Sequence, residues 1–446
     1  NNYRKSTTRT IDELVFYHLG AQLKNHFPEY HARGFSSLLL EIHPEFAPLP
    51  EYLTQPLFKH PPLFSGLISL ALRLFGEHYY SAMYVSAFFG VMMIFLVYWI
   101  GTLSFDETTG LAAAFLVWLD PVNIISGQKI WMDTTASFFI LLAVLFLIRG
   151  VKYGAILDYA GFGFASGCAF LTKYTGLLTL LGAGLYFVFF QRKILRRRVA
   201  LLCFGLPALM AVPWLIWNYQ IYGHAFFPRI LALHNLATIT TRSILTGFFV
   251  LGGLLVLFYG GRMKFEKIPQ IRLGARLEGY QTIQWGLLGL LAALFLSRYI
   301  DIVSPLHLPE TYWQAGRFSG EPWFFYFKRL PEFSLFYLVS YAAFFFDFGQ
   351  KHRHGAIILK IFSGIILIFF SLWKNYQARY ILAATPLLLT LSAALWIHRL
   401  QQLMNLRDET KRTQRLILAG LVSGYVLIKT FYVNFMVSFP NDMCYF

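Results

Sequence analysis

Charge is scarce in this chain. Asp, Glu, Lys and Arg make up 13% of its 446 residues, whereas a soluble domain carries about 25%. With 57% hydrophobic residues, the composition excludes an ordinary soluble domain and points to a polytopic membrane protein. Acidic residues are the rarer sign, 22 against 38 basic ones, which leaves a formal net charge of +16. That excess does not imply a nucleic-acid partner. No zinc-finger or RNP-type pattern accompanies it, and membrane proteins collect Lys and Arg in cytoplasmic loops. Cysteine is nearly absent: Cys168 and Cys203 fall in apolar runs and Cys444 lies near the end. This excludes a disulfide framework or a cysteine metal cluster. Also missing are a Gly-rich phosphate loop, H-E-x-x-H and G-x-S-x-G, which argues against ATP hydrolysis and serine-hydrolase chemistry. No signal peptide is visible and residue 1 is Asn. The expectation is therefore a chain that starts inside a longer gene product.

Long apolar runs are what the chain does have. From Tyr79 on they recur at 79–103, 109–127, 132–149, 155–172, 174–190, 198–219, 244–261, 282–299, 332–348, 355–373, 378–397 and 415–437. A span needs about 20 apolar residues. The fold class is thus an all-α polytopic membrane protein with about 12 transmembrane helices. Residues 1–78 differ. Ile11 to Lys24 reads as a short helix, Glu41 to Pro62 as a proline-rich loop, and Leu63 to Phe75 as an amphipathic helix closed by Gly76. The last is too short to span and suits the interface. Two regions follow: a catalytic loop with interfacial helices at 1–78, and a helix bundle at 79–446 with an outer loop at 301–330.

Lys and Arg crowd alternate loops, for example Arg192, Lys193, Arg196, Arg197 and Arg198, or Arg407, Lys411, Arg412 and Arg415. This set holds about twice as many as the other and is placed in the cytoplasm. The 1–78 loop then faces outward. Leading it across requires a further helix upstream, a thirteenth.

The outward side gathers the candidate chemistry. Thr10-Ile11-Asp12-Glu13 reads as a capping box; equally, a carboxylate at a partly desolvated surface can serve as a general base. Lys59-His60-Pro61-Pro62 precedes a helix, and a basic pair at a helix N-terminus suits an anion. Lys129 and Asp133, four residues apart, either pair with each other or meet a phosphate. Lys173 and Arg379 stand at other helix junctions on that side. Each alone reads as an interfacial cation. Basic residues from several separate segments beside one acidic-led loop form a clamp for a phosphate. Asp120 and Asp158 lie in or near apolar runs, where acids default to functional hypotheses; Asp120-Pro121 also suits a capped helix break.

Taken in order, these residues resemble a known group. They are Asp12-Glu13, His60-Pro61-Pro62-Leu63, Phe88-Phe89-Gly90, Lys129 with Asp133, Phe170-Leu171-Thr172-Lys173-Tyr174-Thr175-Gly176, and Arg379-Tyr380 with Pro386. The pattern is similar to membrane glycosyltransferases of the C-type fold, in the dolichyl-phosphate-mannose protein mannosyltransferase-like branch that includes lipid A aminoarabinose transferases. The resemblance is best over 10–190 and returns near 374–390; 220–330 matches nothing in it. It implies a bundle of helices and a polyprenyl- or dolichyl-phosphate sugar donor. Transfer inverts the anomeric carbon, and the acceptor is a glycan, lipid or protein. It implies Asp12 as the base with Glu13 as its partner, and a donor-phosphate contact from either Lys59 or His60. Lys129, Asp133, Lys173 and Arg379 complete the expected phosphate site. No resident metal is required, though a divalent ion is compatible. The expected location is a bacterial inner membrane with the site facing outward. A transporter or lipid-linked-sugar flippase is the rival, but it calls for matched inverted repeats, and none is visible.

Overall fold

The apolar runs fold into helices that end where the sequence supplies a break. In the computed structural model, residues 11–42, 44, 47–49, 51–195, 197–225, 314–315, 325–372 and 376–438 are described. The leading segment forms α1 (Ile11–Asn25), α2 (Arg33–Ile42), α3 (Glu51–Thr54) and α4 (Leu63–Phe75). The bundle follows with α5 (Tyr79–Ser104), α6 (Glu107–Trp118), α7 (Pro121–Gly127), α8 (Met132–Tyr153), α9 (Ile156–Thr172) and α10 (Leu177–Phe190). Next come α11 (Arg197–Ala200) and α12 (Leu206–Tyr222), joined by a π turn. The chain closes with α13 (Phe325–Phe333), α14 (Phe336–Phe345), α15 (Arg353–Leu372), α16 (Thr385–Met404) and α17 (Glu409–Ser438). The expected spans at 244–261 and 282–299 lie outside the described residues.

Several expected spans are modified. The run at 109–127 bends by 59° between α6 and α7, because Pro121 cannot donate its N–H and its ring would clash with the carbonyl one turn back. The run at 332–348 takes in the end of α13 and all of α14, with a break at Ser334 and Leu335; Pro331 lies inside α13. The run at 378–397 opens as a 3-10 turn, Ala378–Ile381, before α16. Among the described residues, five helices are long and apolar enough to cross a membrane, or six with the bent pair taken as one. Apolar side chains such as Phe88, Phe95 and Trp99 on α5 are exposed, which suits a lipid-facing stripe.

Two cores position the site. One runs through the bundle, with Val97, Leu141, Val144, Phe162, Phe187, Phe362 and Leu388 buried together. The other seats the leading segment on the bundle: Phe16, Leu19 and Leu23 of α1 pack with Phe64, Ile68 and Leu72 of α4, and with Phe89, Ile130 and Trp214. α1 approaches α4 so closely that a Cβ on Gly20 would lie 2.3 Å from Cγ2 of Ile68. α8 then spans from one end of the bundle to the other, about 33 Å at 1.5 Å per residue. At its far end Arg149 pairs with Asp158 at 3.0 Å. At its near end lies the candidate site.

Candidate active site

Asp12 stands in the first turn of α1. Its Oδ2 accepts a hydrogen bond from Nη2 of Arg379 at 2.6 Å, across 367 positions of sequence. Arg379 lies on the 3-10 turn before α16. Its Nε donates to Oε1 of Gln377 at 2.6 Å and lies 3.9 Å from Oδ2 of Asp133. Its guanidinium sits over the Trp131 ring, 4.6 Å from the centroid, a geometry that favours a cation. Asp133, in the first turn of α8, receives a charge-assisted hydrogen bond on Oδ1 from Lys173. Lys173 terminates α9 and lies over the Tyr380 ring, 4.4 Å from its centroid. The turn that follows is tight: a Cβ on Gly176 would fall 2.3 Å from backbone atoms of Ala169 and Phe170. Only glycine fits this close approach, which holds Lys173 at the end of its helix.

The result is an alternating line of charge, Asp12, Arg379, Asp133 and Lys173. Lys59 adds a further cation; its Nζ lies 3.5 Å from the centroid of the Tyr52 ring. Together these five residues carry a net positive charge. Burial pushes the Asp12 carboxyl up, yet Arg379, then Lys59 and Lys173, hold it below the usual carboxylate range. The Asp12 side chain still keeps 37% of its surface accessible, so a reactant can reach it. Burial pushes the Lys173 ammonium down, and Asp133 opposes that with charge and a hydrogen bond. A small pocket with room for about one water molecule opens here. Asp133, Lys173, Arg379 and Tyr380 form its polar side, and Ala136, Ile140, Leu178, Ile366 and Phe370 its apolar side.

Not every expected residue lies in this line. Glu13 is fully buried. Its Oε2 accepts from the Tyr79 hydroxyl and from the Ile130 N–H at 3.3 Å, and its Oε1 lies 3.9 Å from Nζ of Lys129. Glu13 and Lys129 therefore tie α1 to the α7–α8 junction, one step behind Asp12. Lys129 does not pair with Asp133, because Lys173 takes that carboxylate. His60 packs near Phe58 and Tyr174. Burial first, then Lys59, Lys173 and Arg379, push its imidazole well below its ordinary range, so it is neutral near pH 7. Trp131, Gln377 and Tyr380 join the site without having been singled out. Tyr380 was the legible one, standing next to Arg379 in the quoted string. Of the expected outer loop, Gln314 and Ala315 pair antiparallel with Gln377 and Tyr376, two residues from Arg379. Among the described residues, no three of His, Cys, Asp or Glu converge as a metal site.

The geometry defines a class of helical membrane protein with an acid-and-cation site at one end of its bundle. Known proteins share the helical fold. The archaeal oligosaccharyltransferase AglB from Archaeoglobus fulgidus, solved with an inhibitory peptide and a dolichol-phosphate, superposes with a TM-score of 0.56 at 17% identity, over 97% of this chain and 53% of that one. ArnT from Cupriavidus metallidurans in its apo state gives 0.54 at 13% identity, over 98% of this chain and 73% of that one. The family profile described as dolichyl-phosphate-mannose-protein mannosyltransferase matches residues 59–217. YkcB of Bacillus subtilis (strain 168), provisionally named a mannosyltransferase, is 24% identical over 153 residues, 34% of this chain and 21% of that protein. This chain thus spans about a fifth of that relative's length and about half of AglB's. The fold is the C-type fold of membrane glycosyltransferases, as the resemblance in the sequence implied.

Proposed function

We propose that this protein is an inverting glycosyltransferase that moves a sugar from a polyprenyl- or dolichyl-phosphate donor to an acceptor at the outer membrane face. The observation that carries the reading is the accessible Asp12 carboxylate, joined through Arg379 to a cation-rimmed cavity with an apolar side. A lipid phosphate needs cations for its head, which this rim supplies, and apolar surface beside them for the start of its tail.

The acceptor's O–H or N–H gives its proton to Asp12 as its heteroatom bonds to the anomeric carbon. The bond from that carbon to the phosphate oxygen breaks on the opposite face, with its electron pair going to the oxygen. Configuration inverts, and the products are glycosylated acceptor and lipid phosphate. Arg379 and Lys173, with Lys59, stabilise the developing charge. Lys129, turned toward Glu13, supports the site from behind. Donor phosphate also competes with Asp12 for Arg379. Binding the donor therefore releases Asp12 from its strongest cation and restores its basicity for the transfer step. The charge bias of the loops supports the outward orientation, and a bacterial inner membrane is the location that fits it.

The test is to reconstitute the chain in vesicles with radiolabelled polyprenyl-phosphate sugars and to follow label into acceptors. Asp12→Asn should lower transfer roughly 10²–10⁴-fold while the folded protein still binds donor. Full transfer by that variant would overturn the mechanism.

A further inference from the structure

The bend between α6 and α7 is more than a proline break. Asp120 there is 1% exposed. Its Oδ2 caps α7 by accepting the Asn123 N–H at 3.3 Å, a local role that any helix start needs. Its Oδ1 does something a cap does not require. It accepts the hydroxyl of Tyr337, on α14, at 2.8 Å. The adjacent carbonyl, that of Leu119, accepts the Asn434 side-chain amide from α17. Tyr337 is fully buried and Asn434 nearly so. Two distant helices thus converge on two residues of a broken one. A polar knot in an apolar bundle has few competing partners, so its direction is well specified.

Both sides of this knot lead to the site. Downstream of Asp120, α7 carries the chain to Lys129, Ile130 and Trp131. Ile130 N–H and Lys129 hold Glu13, beside Asp12, and Trp131 lies under Arg379. On the other side, α14, which carries Tyr337, packs along α16, and the 3-10 turn just before α16 carries Arg379. One carboxylate therefore links the segment that holds α1 to the helix packed along the one that presents the guanidinium. We infer that Asp120 is a positioning residue: it fixes the direction of α7 against α16, so that Trp131 and Arg379 meet and Arg379 is presented to Asp12 and to the donor. Its catalytic consequence rests on the proposed transfer reaction, while its geometric consequence does not.

The test measures the two separately on the full chain in lipid nanodiscs. Gln128, at the end of α7, and Gln401, near the end of α16, are both exposed. Each is replaced by a spin-labelled cysteine in a background lacking Cys168, Cys203 and Cys444, and their separation is read by pulsed dipolar spectroscopy. The parent should give one narrow distance. Tyr337→Phe and Asp120→Ala should broaden or shift it, and Asp120→Asn, which keeps an acceptor for Tyr337, should do so less. In transfer assays the first two variants should lose roughly 10–100-fold in kcat, with donor KM within about twofold, as expected of a small misplacement of reacting groups. An unchanged distance in both variants overturns the inference. So does a changed distance with kcat intact. If the parent itself transfers no sugar, the functional reading fails, and the distances alone decide whether the knot sets α7.

Discussion

At the scale of single residues, the site is built from two acids and two cations in alternation, and pH should report the coupling. Asp12 is held below the usual carboxylate range chiefly against burial by Arg379. A base with a lowered pKa stays ionised to lower pH, so kcat/KM should fall only at strongly acidic pH. In Arg379→Gln the attraction is gone and the Asp12 pKa rises. The acid limb of the kcat/KM profile should then move to higher pH, apart from any loss in donor affinity. An unmoved limb would mean that Asp12 is not the titrating base. Lys173 and Asp133 make a second, buried contact, with side chains 10% and 5% exposed. Lys173→Met strands the Asp133 carboxylate, with only the longer Arg379 contact left, and should cost about 3 kcal/mol by thermal unfolding in detergent. Adding Asp133→Leu should recover most of that stability and none of the transfer. The residues legible as one cluster were those whose type is costly at a membrane boundary: Asp12, Lys59, Asp133, Lys173 and Arg379. The division of labour between Asp12 and Glu13 was not legible. Both are acids in one helical turn, and only Tyr79 and the Ile130 N–H, distant in sequence, decide which is consumed by structure.

At the scale of elements, α1 is the part that must be delivered accurately, because Asp12 sits at its start. Gly20 sets its closest approach to α4. Gly20→Val places side-chain carbon where Ile68 already lies, and overpacking of this kind costs about 1–3 kcal/mol. The helix should shift, transfer should fall, and Ile68→Ala on top of Gly20→Val should restore part of both; thermal unfolding and the labelled-donor assay read the two effects. The helices α1 and α4 were readable from their periodicity and from Gly76. The break at Ser334 and Leu335 and the 3-10 turn at Arg379 were not. An apolar window averages over one or two residues, and those breaks depend on what the neighbouring helices accept.

At the scale of the whole molecule, the loops' charge bias predicts an orientation that labelling can test. Gln128, beside the site, and Lys193, in the basic loop at the other end, are both exposed. In right-side-out vesicles an impermeant maleimide should modify Gln128→Cys directly and Lys193→Cys only after permeabilisation. The reverse pattern would place the site on the cytoplasmic face.

Composition and apolar run length by themselves determined that this is a helical membrane protein, because burial in lipid demands long uncharged helices whatever their order in space. A handful of costly polar residues also marked one end as the place where charge gathers. Only the tertiary structure decided that Arg379 bonds Asp12, that Lys173 takes Asp133 from Lys129, and that a broken span is stitched by Asp120. The physical reason is common to all three. Each depends on side chains hundreds or tens of residues apart meeting where the bundle excludes water, and no local pattern in sequence encodes which partners arrive.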